Sequence, residues 1–80
     1  MNFLTMVEAE LARAEAKHGG MASHHEAYAV IQEEVDEYWD MVKLQNHKRD
    51  PEAMLIELVQ IAAMAAKAAK HLLNCEATDG

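Results

Sequence analysis

The chain predicts an all-α fold, and three observations carry that expectation. Hydrophobic residues make up 51% of the sequence, and fifteen of the 80 positions are alanine, the strongest helix former. Gly numbers only 3 and Pro 1, so breakers are few. Apolar residues recur at spacings of three and four, the helical period. Eighty residues form a single domain, 1–80, whose own core is small. Cys75 stands alone, so no internal disulfide can staple the chain. Added stability is expected from a metal, a partner chain or close helix packing.

Three helices follow in order. The first spans about Asn2 to His18, with Phe3, Val7, Leu11 and Ala14 on one face. Gly19-Gly20 ends it, because glycine accepts the left-handed conformation that follows a helix C-terminus. Ser23-His24-His25-Glu26 matches a capping box and starts a second helix, expected to reach Leu44 or Gln45. Asn46 to Arg49 reads as a polar connector. Asp50-Pro51-Glu52 then supplies an N-cap, a proline at the first helical position and an acid in the first turn. The third helix is expected to run to about Leu73, with the tail 74–80 frayed.

Short connectors make neighbouring helices antiparallel, so the expected monomer is a helical hairpin with an added N-terminal helix. Helix three carries Ala62, Ala63, Ala65, Ala66, Ala68 and Ala69 around much of its circumference. It reads as a central element that permits close approach on several sides, the bundle being completed by homo-oligomerisation.

Charge narrows the function classes. Lys+Arg total 7 against 14 Asp+Glu, a formal charge of −7. A sequence-independent nucleic-acid binder needs a basic face to displace counterions, so that class is excluded. The N-terminal stretch lacks the basic and apolar regions of a signal peptide. The longest apolar-rich stretch, Met54 to Ala66, is too short to span a bilayer. The expectation is a cytoplasmic protein with no membrane contact and a reduced Cys75.

The acids are the informative residues. Tyr28, Ile31, Val35, Tyr38 and Val42 form one apolar stripe of helix two. Ala27, Val30, Met41 and Leu44 form a second, and Glu34 and Glu37 occupy its middle. From Met54 to Ala66 the polar residues are Glu57 and Gln60, three apart and on one face. No Lys or Arg lies three or four positions from Glu34, Glu37 or Glu57, so local ion pairing does not account for them. Buried unpaired carboxylates protonate or acquire a cation. An acid on an apolar stripe can also lie near a helix end or meet a lysine from elsewhere. Three acids and an amide converging from two helices favour an oxygen cage for Mg²⁺, with Mn²⁺ as the substitute. Mg²⁺ commonly binds through few carboxylates plus substrate phosphates, which points to a nucleotide polyphosphate. Zinc fits worse, because the histidines are scattered and Cys75 lies in the tail.

At these residues the sequence resembles the MazG-like, all-α nucleoside triphosphate pyrophosphohydrolases, whose superfamily includes the dimeric dUTPases. The family pattern is Glu-Glu-x-x-Glu on one helix and Glu-x-x-Asp on the next. Glu33-Glu34-Val35-Asp36-Glu37 matches the first part, and Glu57-Leu58-Val59-Gln60 most of the second. The resemblance covers roughly Ser23 to Leu73. It implies that Glu34, Glu37 and Glu57 ligate Mg²⁺ and that Glu33 positions or activates water. Gln60 departs from the pattern, because the family has aspartate there. An amide oxygen can coordinate, but it removes one negative charge and is expected to lower metal affinity. The implied reaction is attack of water on the α-phosphorus of a nucleoside triphosphate, giving a monophosphate and pyrophosphate. The implied assembly is a homodimer or homotetramer. The other reading is a non-catalytic helical binding or assembly module with a weakened metal site.

The remaining side chains have plainer expectations. His24 and His25 read as partly exposed structural residues, and Tyr28, Tyr38 and Trp39 as core or interface packing. Lys43, Lys48 and Arg49 read as phosphate contacts or as a solvated cluster, with Lys43 paired to Asp40. Lys67 and Lys70 most simply complement the dipole at the end of helix three.

Overall fold

The computed structural model describes the backbone of residues 2–79 and the side chains of residues 2–74, so the expectation for Cys75 lies outside the described side chains. The chain forms α1 (Phe3–His18), α2 (His24–Val42), a short 3₁₀ turn (Asn46–Lys48) and α3 (Pro51–Asp79). No strand occurs among the described residues.

Local chemistry sets most of the boundaries. Asn2 caps α1 by accepting from the Thr5 amide at 2.8 Å. Gly19 closes α1 at φ +74°, and its amide donates to the Glu15 carbonyl at 2.8 Å. That conformation favours glycine at this position. Ser23 caps α2 by accepting from the Glu26 amide at 3.0 Å. Asp50 caps α3, its Oδ1 accepting from the amides of Glu52 and Ala53.

Three boundaries differ from the sequence expectation. α2 stops at Val42 instead of Leu44 or Gln45. Arg49 folds back and donates through Nε and Nη2 to the Val42 carbonyl, so it occupies the end of α2 and is not part of a solvated cluster. The connector tightens into a 3₁₀ turn. α3 runs on to Asp79, six residues beyond the expected end, because no Gly or Pro interrupts it before Gly80. The expected fraying of 74–80 falls almost wholly outside the described side chains.

α3 is the central element. Both α1 and α2 lie against it and neither lies against the other, so a groove runs between them with α3 as its floor. The core is thin: Ala14, Met21, Ala27, Ala63 and Met64, with Val7, Leu11, Val30, Ile31 and Ala68 around them. Alanine at the crossings lets the backbones approach closely, and Ala63 is the point of complete burial. Met21 enters the core directly after the Gly19-Gly20 break.

Outside this core, large apolar side chains stay in contact with solvent. Tyr28 is 71% and Trp39 56% exposed, so neither packs in the core of the single chain. Val35, Leu55, Ile56, Leu58, Leu72 and Leu73 are exposed as well. No described helix is long and apolar enough to cross a membrane.

Candidate metal-binding carboxylate site

α2 brings three acids together. Glu33, Glu34 and Glu37 each present a carboxylate oxygen, and these oxygens lie within 4.8 Å of one another. It is the group of acids, His and Cys with metal-ligand spacing among the described residues. Glu34 is half-buried, in register with the Ala27–Val30 stripe that packs on α3. Glu33 and Glu37 are exposed. Glu33 therefore lies on the wet side, as periodicity required, with its carboxylate still reaching the other two.

From across the helix interface α3 brings Glu57 near Glu34 and Glu37, although it is not one of the acids whose oxygens all lie within 4.8 Å of one another. Glu57 is only 8% exposed, and its Oε1 is buried with no hydrogen-bond partner. Burial pushes its carboxyl up to about 8, and the nearby carboxylates of Glu34 first and Glu37 second push the same way. An orphaned buried oxygen facing two further acids is a costly arrangement for a structural role alone. The donor set is all oxygen, as Mg²⁺ and Mn²⁺ prefer, and contains no imidazole or thiolate to favour zinc.

Gln60 lies between two neighbourhoods. It is half-buried and belongs to the lining where α1 meets α3, with Glu10 and Arg13. Arg13 donates through Nε and Nη2 to both carboxylate oxygens of Glu10. That guanidinium holds the Glu10 carboxyl below its ordinary range, and the Gln60 amide adds to the effect. The amide expected to complete the cage also lines the groove that Glu34 lines.

Two lysines depart from their expected roles, because α3 does not end near them. Lys70 pairs with Glu15 of α1 at 2.9 Å. Lys67 is only 6% exposed and lines the groove. Spacing puts Gln60, Met64 and Lys67 on one face of α3, at i, i+4 and i+7, but does not say that this face is covered. Elsewhere Lys43 pairs with Asp40 at 3.1 Å, as expected, and both are exposed. His24 stacks edge-on against His71 of α3, with ring centroids 4.9 Å apart, away from the acids.

Comparison with protein-family models, curated proteins and solved structures finds no significant match to this chain.

Proposed function

We propose that the protein is a Mg²⁺-dependent nucleoside triphosphate pyrophosphohydrolase of the MazG-like kind. It would act as a homodimer or homotetramer built from α2–α3 hairpins. The observation that carries this reading is Glu57: a buried carboxyl with an unpartnered oxygen, set against Glu34 and Glu37 of a different helix. A divalent cation removes the mutual repulsion and satisfies the orphaned oxygen together.

Glu34, Glu37 and Glu57 would hold the cation across the interface of α2 and α3. Glu33, exposed and within 4.8 Å of Glu34 and Glu37, would orient a water and accept its proton. When bound, the metal neutralises phosphate charge and lowers the pKa of a bound water. The exposed apolar residues of α2 and α3 support assembly, since a single chain of this length leaves them uncovered. The direct test is pyrophosphate release from canonical and modified nucleoside triphosphates with Mg²⁺. Release that stops with EDTA is expected; no release from any nucleotide sinks the reading.

A second reading is favoured by Gln60. Because residue 60 is an amide where the family pattern has aspartate, the cage lacks a carboxylate there, as in a helical assembly module with a weakened metal site. Gln60→Asp separates the two. The added carboxylate is expected to tighten Mg²⁺ binding severalfold and to lower the metal-free thermal midpoint, because it joins like charges at Glu10 and Glu34. Calorimetry and melting on the same variant read both signs. Unchanged Mg²⁺ affinity would make Gln60 a contact of α1 alone.

A further inference from the structure

The histidines are scattered along the sequence, yet the fold gathers most of them at one end of the bundle. His18 closes α1, His24 and His25 open α2, and His71 of α3 meets His24 there. His47 lies apart from them, in the turn between α2 and α3. The rings of His24 and His71 are in direct contact, with centroids 4.9 Å apart and planes at 72°.

The separation of these rings is that of two imidazoles on one ion. A ligating nitrogen about 2.1 Å from a transition metal puts its ring centre roughly 3.2 Å from that metal. Two such rings in tetrahedral or right-angled positions have centres about 4.5–5.2 Å apart. The observed contact falls inside that interval. Access is open as well, because His24 is exposed and His71 half-buried. Each ring also stands on an element that is already fixed. Ser23 caps the first turn of α2, which carries His24, and α2 packs along α3. Little order therefore has to be imposed when an ion binds. Among the described residues no third acid, histidine or cysteine joins the pair at ligand spacing, so water would complete the coordination.

We propose that His24 and His71 form a site for a borderline-soft divalent ion, Zn²⁺ above all, that clips the start of α2 to α3. Imidazole nitrogen suits such ions, whereas Mg²⁺ prefers the oxygens of carboxylates. Glu34 lies ten residues along α2 from His24, about 15 Å at the helical rise. The two sites are thus separate in place and in chemistry, and this one does not rest on the proposed function. His24 and His71 stand 47 positions apart in sequence and meet only in the folded chain. Binding therefore stabilises the fold.

The experiment is calorimetry of the full chain with Zn²⁺ in excess Mg²⁺, which competes for the carboxylates. One Zn²⁺ per chain is expected. His24→Gln and His71→Gln should each weaken its binding at least tenfold. His25→Gln and Cys75→Ser, controls for the adjacent imidazole and for the thiol, should leave it within about twofold. The rise in thermal midpoint caused by Zn²⁺ should disappear in the first two variants and persist in the controls. Cu²⁺ binds the same ligands more tightly, and its paramagnetic resonance counts the coordinated nitrogens. Two are expected in the parent, and one in His24→Gln or His71→Gln.

A parent that binds no Zn²⁺ in excess Mg²⁺ overturns the proposal. So does a His24→Gln or His71→Gln protein that binds it like the parent. A lowered metal-free midpoint with unchanged Zn²⁺ binding also overturns it, since the rings would then serve packing alone. Zn²⁺ binding that requires both histidines in a protein that ignores Mg²⁺ sustains this site and sinks the carboxylate site alone.

Discussion

Glu57→Gln is expected to abolish the rise in thermal midpoint caused by Mg²⁺ while leaving the helical content intact. In the unfolded chain the Glu57 carboxyl titrates near 4.5, and in the folded protein burial and the acids of α2 push it up to about 8. Between those values the folded form keeps a proton that the unfolded form has lost. The proton's contribution to the metal-free protein is therefore complete below about pH 4.5 and is lost as pH rises through about 8. Each pH unit in that window removes up to about 1.4 kcal/mol.

Glutamine is neutral throughout, so the variant should lack this slope. At pH 8, without metal, it should be more stable than the parent by roughly 1–3 kcal/mol, because a buried charge beside like charges has been removed. Mg²⁺ acts in the opposite sense on the parent: it binds the deprotonated carboxylate, so its stabilisation should be larger at pH 8 than at pH 5. Melting curves at both pH values, in EDTA and in Mg²⁺, measure all of these signs. A metal-induced shift that survives in Glu57→Gln would mean that Glu57 is not a ligand and that its burial has another cause.

The second large effect concerns assembly. Tyr28, Val35 and Trp39 share the exposed side of α2, at spacings of seven and four, and all stay open to solvent in the single chain. Fully covering side chains of this size contributes about 1.5–3 kcal/mol each. Val35→Glu combined with Trp39→Glu should remove two such contributions and add like charges across the interface. Association is expected to weaken by a factor on the order of a hundred or more. Sedimentation of parent and variant at micromolar concentration reads this directly. A parent that sediments as a folded monomer would end the assembly proposal, and the exposed apolar residues would need a different partner.

The contrast between Glu57 and Lys67 marks how far the sequence reaches. Caps and breaks were legible because they depend on bonds within a few residues: Ser23 to the Glu26 amide, Asp50 to the start of α3, Gly19 after α1. Of the acids expected in the second apolar stripe of α2, Glu34 is half-buried as expected, whereas Glu37 is exposed, because α3 covers only part of that stripe. α3 offers no such phase. Alanine lines it on nearly every side, so periodicity cannot say which of its polar residues is covered and which is wet. That depends on where α1 and α2 come to rest.

The sequence by itself determined an all-helical chain, its capped starts and the acids that interrupt an apolar stripe. Only the tertiary structure decided that Glu57 is buried near Glu34 and Glu37, that Gln60 lies beside Glu10 of α1, and that Lys67 lies in a groove instead of at a helix end. The reason is physical. Helix formation and capping are decided by hydrogen bonds between near neighbours, whereas burial of one face of a uniformly apolar helix is decided by which other helices cover it.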